Sequence, residues 1–222
     1  MKYIVVDLEM NPISKNHCEE RKQCRAEIIQ IGAVVLDERY QEIGSFKTLV
    51  KPQYNSVIMP NIEKLTGIKT KMVQDAPVFH QAIHQFFAWC GSIHDDFEIQ
   101  QWSDSDHSQM IQEINLKKLV LTEQEQAIME DWQDFQHEFG KKLGLSNQLS
   151  LKNAIMYAGV DIVGCYHDAL YDARNTATLF GIIRTPEKCK KALDLVIDAL
   201  NPPTHNTTLG DLFNFSELAL SL

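Results

Sequence analysis

Residues 3–8 are β-branched, aromatic and leucine-bearing, and they run straight into Asp7 and Glu9. That is the pattern of a buried strand whose C-terminal end carries carboxylates. Residues 10–25 are polar and charged and read as a loop. Ile28 to Leu36 predicts a second strand, Asp37 to Tyr40 a turn, and residues 41–50 a third strand closing a hairpin. Ile62 to Thr66 predicts a short helix stopped near Gly67. Ala76-Pro77 then opens a helix to about Gly91 with an apolar face. Phe97 to Trp102 predicts a fourth strand ending at the Asp104/Asp106 loop, followed by a helix from about Ser105 to Asn115. Residues 116–121 are expected to hold another strand, and residues 123–143 a helix. Ser150 is placed to cap a helix to Ala158, with Gly159 as its stop. A helix from about Asp168 to Ile183 and an amphipathic one from Pro186 complete the order. A hairpin followed by strands alternating with helices is an α/β arrangement, and ligands collect at its strand ends and helix starts.

The bulk numbers narrow the class. At 222 residues with 44% hydrophobic residues, the expectation is one large domain, or one domain with a tail. No apolar run approaches the roughly eighteen residues that span a bilayer. Asp7 also arrives too early for a signal peptide, so a cytoplasmic chain is expected. Five cysteines at scattered positions fit reduced thiols better than a disulfide framework. A net charge of −9 disfavours charge-driven coating of duplex nucleic acid. It does not exclude a nucleic-acid enzyme, because bound divalent metal brings the positive charge to where phosphate sits. Neither a Walker pattern nor a serine or cysteine nucleophile elbow is present.

Three separated segments carry the chemistry. Asp7 and Glu9 stand two apart on an extended segment, so their side chains share a face. Two such carboxylates repel unless a cation lies between them, which makes a natural seat for Mg²⁺ or Mn²⁺. His167 and Asp172, five apart at a helix start, can flank one site. Histidine is the side chain suited to taking a proton from water near neutral pH. Asp106 follows the fourth strand and Trp102. At this level Asp104 competes with Asp106, and Asp168 competes with Asp172.

In combination these segments resemble the DEDDh branch of the DnaQ-like 3′–5′ exonucleases, over roughly residues 1–184. Asp7-Leu8-Glu9 resembles the first exonuclease motif and Glu27 to Ala33 the second strand. Leu65-Thr66-Gly67-Ile68 and Ala76-Pro77 resemble the connection after the hairpin. Trp102 to Asp106 resembles the second motif, with Ser103 in place of the usual glycine, and its spacing puts the ligand at Asp106. His167 to Ala173 matches the third motif. The likeness is nearest to the Eri-type and KapD-like group.

The resemblance implies an RNase H-like α/β fold, with a mixed central sheet of about five strands flanked by helices. It implies a metal-dependent 3′–5′ exonuclease that releases nucleoside 5′-monophosphates, with RNA somewhat favoured over DNA. Asp7, Glu9, Asp106 and Asp172 would hold two Mg²⁺ or Mn²⁺ ions, and His167 would act as general base. Leu8, Met10 and Thr66 are candidate contacts to the 3′-terminal nucleotide, although Leu8 also suits a core position. The partner implied is nucleic acid with a free 3′ end, as single-stranded RNA or DNA, and no membrane. Residues 1–184 are then the exonuclease domain and 185–222 a C-terminal helix and tail. The apolar residues from Leu209 to Leu222 could pack on the domain, pair two protomers or engage a protein partner. A KapD-like regulatory module and a polymerase proofreading subunit are the competing readings. Arg21, Lys22 and Arg25 are expected on a polar loop, where contact with substrate phosphates is the alternative to solvated side chains. Lys69, Lys71, Lys117, Lys118, Lys141 and Lys142 are expected on solvated faces.

Overall fold

The computed structural model describes residues 1–130, 132–143 and 147–200, so the expectation for the tail after Leu200 lies outside the described residues. Along the chain, β1 (Lys2–Pro12) is followed by α1 (Cys18–Gln23), β2 (Ala26–Leu36) and β3 (Glu42–Leu49). Next come α2 (Pro60–Thr66), α3 (Thr70–Val73), α4 (Phe79–Gly91), β4 (Phe97–Gln101) and α5 (Ser105–Leu116). The remainder is α6 (Glu123–Glu130), β5 (Trp132–Asp134), α7 (Phe135–Leu143), α8 (Leu151–Tyr157), α9 (Ala169–Arg184) and α10 (Pro186–Leu200).

The strands form one mixed sheet in the order β3-β2-β1-β4-β5. The β1/β2 and β2/β3 pairs are antiparallel, while β4 lies parallel to both β1 and β5. β1 is central, and its two faces feed two cores. Ile4, Val6 and Leu8 point toward Phe79, Ile83, Phe86 and Met110 of α4 and α5. Val5 points the other way, toward Phe135, Leu179 and Phe180 of α7 and α9. The alternation of a strand thus sorts Asp7 and Glu9 onto the α9 side. α10 adds Ala192 and Val196 to that second core.

Three expectations are corrected. Residues 10–25 are not one loop: β1 continues to Pro12, and α1 intervenes. The buried Asn11 side chain stabilises that extension by donating to the Val57 carbonyl at 3.1 Å and accepting from Met59 N–H at 2.9 Å. The fifth strand is Trp132–Asp134 rather than residues 116–121, where Lys118 turns the chain with φ 52. It interrupts a stretch of good helix formers because Trp132 pairs with Ile99, and its ring packs on His107 and Phe86. Tertiary packing overrides propensity there. Lys117 is not solvated. Its side chain is 9% exposed and its ammonium lies 3.0 Å from Glu27 and 2.7 Å from Glu113. Glu27 in turn accepts the backbone N–H groups of Gln53, Tyr54 and Asn55.

Candidate active site

The parallel pairing of β1 with β4 ends at Val6 and Gln101, one residue before Asp7. Beyond that point the β4 chain turns away and α5 begins, with Asp106 in its first turn. Asp106 is 6% exposed, and the Leu8 backbone N–H bonds its carboxylate. Asp104, by contrast, is exposed at the N-cap position. Of the two acids, Asp106 turns inward toward β1 and Asp104 outward to solvent. On the other side of β1, the register with β2 shifts between Glu9 and Met10. Such a bulge re-aims the side chains around it.

α9 delivers the third segment. A Cβ on Gly32 would lie 2.2 Å from the backbone of Ala169 and Leu170, so only glycine lets the start of α9 rest directly on β2. Gln30, two residues earlier on the same face, accepts the Ala169 N–H at 2.8 Å. Asp168 caps the helix, accepting from Leu170 and Tyr171 N–H. Asp172, one turn in, is 7% exposed and faces β1. One of its oxygens, Oδ2, accepts the His167 N–H at 2.8 Å. His167 has φ 61 and its side chain is exposed. The ligand atoms of Glu9, His167 and Asp172 all lie within 4.8 Å of one another.

Burial and mutual repulsion dominate the electrostatics. Burial first, and then the charges of Asp106, Asp172 and Glu9, push the Asp7 carboxyl well above the usual range. Glu9 is raised to about 8 by burial and by Asp172 and Asp106. Asp106 is raised to about 8 by burial, against the Leu8 hydrogen bond that favours its charged form. Asp172 is raised by burial and held back by its hydrogen bond from His167 N–H. The second oxygen of Asp172, Oδ1, is buried and accepts no close hydrogen bond among the described residues, with the Asn175 side chain as its polar neighbour. Such a carboxylate oxygen among buried, repelling acids is what a hard divalent cation satisfies, so this donor set fits Mg²⁺ or Mn²⁺.

The RNase T exonuclease family model matches residues 4–180. The chain belongs to that family. ERI1 exoribonuclease 2 of Danio rerio is 27% identical over 180 residues, 72% of this chain and 32% of the relative. The chain therefore spans about a third of the length of that relative. The nuclease domain of 3′hExo bound to rAMP superposes with TM-score 0.71 at 20% identity, covering 83% of this chain and 92% of that one. A 3′-exonuclease in a structure of histone mRNA stem-loop recognition gives TM-score 0.73 at 19% identity, covering 83% and 82%. These neighbours share the RNase H-like exonuclease fold, with its mixed five-stranded sheet.

The structure gathers Asp7, Glu9, Asp106, His167 and Asp172 and leaves other candidates outside. Leu8 does not face the site: it is 4% exposed in the core with Ile4 and Val6. Met10 is half-buried against that same core. The Thr66 hydroxyl is occupied within its own turn, donating to the Ile62 carbonyl and accepting the Ile68 N–H. Arg21 donates to the Ile13 carbonyl at 2.7 Å, closing its loop. Gln30 and Gly32 are the residues sequence reading missed. A glutamine and a glycine two apart inside an apolar strand were the available signal, since both weaken a strand unless something packs there.

Proposed function

We propose that the chain hydrolyses phosphodiester bonds at the 3′ ends of nucleic acid, RNA ahead of DNA, releasing nucleoside 5′-monophosphates. The observation that carries this reading is the buried Asp7, Glu9, Asp106 and Asp172 cluster, with an Asp172 oxygen that accepts no close hydrogen bond among the described residues, beside an exposed imidazole. Asp7, Glu9, Asp106 and Asp172 would hold the cations, two Mg²⁺ or Mn²⁺ per site. Bound there, divalent cations neutralise the phosphate and lower the pKa of water. His167 lies with Glu9 and Asp172, and it can take the proton from the attacking water as general base. Asp172 serves that proton transfer indirectly, because its bond to the His167 backbone fixes where the ring stands. RNA is placed first because several relatives are named exoribonucleases and one fold neighbour is described as recognising a histone mRNA stem-loop.

The test is digestion of 5′-labelled single-stranded RNA, single-stranded DNA and a stem-loop with Mg²⁺ or Mn²⁺. Stepwise shortening from the 3′ end is expected, with loss of activity in EDTA. His167→Ala should lower kcat by roughly 10²–10⁴-fold. Full activity in EDTA, or in that variant, overturns the mechanism.

A further inference from the structure

Lys47 stands on β3, and cross-strand pairing aligns it with Gly32 and, one strand further, with Asp7. Residues directly opposite in an antiparallel pair point to the same face, so Lys47 lies on the acid-bearing side of the sheet. The start of α9 fills the space above Gly32. Lys47 meets it there, its ammonium 2.5 Å from Asp168 Oδ2. The other oxygen of Asp168 accepts the Leu170 and Tyr171 N–H groups at 3.2 and 3.4 Å. One carboxylate thus ties the helix start to the edge of the sheet. Among the described residues, this is the only ion pair that reaches the segment from His167 to Asp172. The neighbouring His167 has φ 61, a backbone that side-chain-bearing residues keep only when their surroundings hold it.

We propose that Lys47 is a positioning residue for the nuclease reaction: its ion pair to Asp168 holds the His167 turn so that the imidazole stands beside Glu9 and Asp172. This rests on the nuclease reading above. Lys47→Met keeps the length of the side chain but releases Asp168 Oδ2, and the turn is then free to drift. A catalytic group displaced by about 1 Å can lose up to about a hundredfold in rate, so a fall in kcat of roughly tenfold is expected. KM should stay within about twofold, since no substrate contact is removed. Lys47→Arg, which keeps the charge, should recover most of the loss. In a His167→Ala background, Lys47→Met should cost little further rate, because the two side chains act as one unit.

Hydrogen exchange supplies a readout that needs no turnover. The Leu170 and Tyr171 amides, capped by Asp168, should exchange faster in Lys47→Met and at the parental rate in Lys47→Arg. If the parent chain does not cleave nucleic acid, the nuclease reading fails and the exchange result alone decides whether Lys47 holds the turn. The proposal is overturned if Lys47→Met raises KM with kcat and exchange unchanged, which makes Lys47 a direct substrate contact. It is equally overturned if rates and exchange match the parent, or if the full loss persists in the His167→Ala background.

Discussion

In the absence of cation, the acid cluster should make the protein less stable as the solution becomes more alkaline, and cation should reverse this. Glu9 rises from 4.5 to about 8 on folding. A tenfold change in proton affinity is worth about 1.4 kcal/mol, so ionising Glu9 in the folded state costs on the order of 5 kcal/mol. Asp106 rises from 3.8 to about 8 and contributes a similar amount. Because the acids repel one another, the combined cost falls short of the sum of the two. The sign follows from proton counting: between about pH 4 and pH 8 the folded state binds more protons than the unfolded chain. Stability is therefore fully present below the unfolded pKa values and is lost as pH rises through about 8. Urea unfolding in EDTA at several pH values from 5 to 9 should show a fall of several kcal/mol. Comparison with Glu9→Gln isolates the share of the cluster, because that variant should fall less steeply. Millimolar Mg²⁺ should restore most of the lost stability to the parent at the alkaline end and little to the variant. A parent curve in EDTA that parallels that of Glu9→Gln refutes the argument, as does an equal Mg²⁺ gain in both proteins.

Other consequences are sharper in outcome. Asp106→Asn should lower kcat by at least about a hundredfold while Asp104→Asn stays near parental activity, measured on one 3′-end substrate. Equal losses would mean that the exposed acid also serves the site. Gly32→Ala should push α9 off β2, because the new Cβ would lie 2.2 Å from backbone. A stability loss of about 1–3 kcal/mol in urea is expected, with a disproportionate fall in kcat. Lys117→Met leaves Glu27 and Glu113 buried without their shared cation. It should cost about 3–5 kcal/mol by the same measurement; a near-neutral effect would show that the acids simply take up protons. Glu113, already raised to about 7 by burial, is the acid that would do so first.

What the sequence made legible, and what it hid, divides along a physical line. β1, β2 and the helix bearing Asp172 were readable because their apolar periodicity is uninterrupted over many residues. Asp7 and Glu9 share a face for the same reason: alternation along a strand is a local rule. β5 was hidden because three residues held by Ile99, Phe86 and His107 leave no periodic trace in a helix-forming stretch. Lys117 looked like any solvated lysine, since the two glutamates that bury it come from positions 27 and 113. Gln30 and Lys47 were overlooked likewise, because each acts on α9 more than a hundred residues away. Residues that carry the chemistry left local signatures, whereas those that hold the parts in register did so only through contact.

The divided carboxylate of Asp172 has a thermodynamic consequence. One oxygen restrains the His167 turn and the other would meet the cation of the proposed function, so the two events would share a single side chain and could not be independent. Whatever factor a cation contributes to ordering the turn, an ordered turn returns to the affinity for the cation. Under the proposed function, the order of the His167 turn would thereby influence how tightly a cation is retained. A site built this way would register the order of its proposed base each time a cation bound.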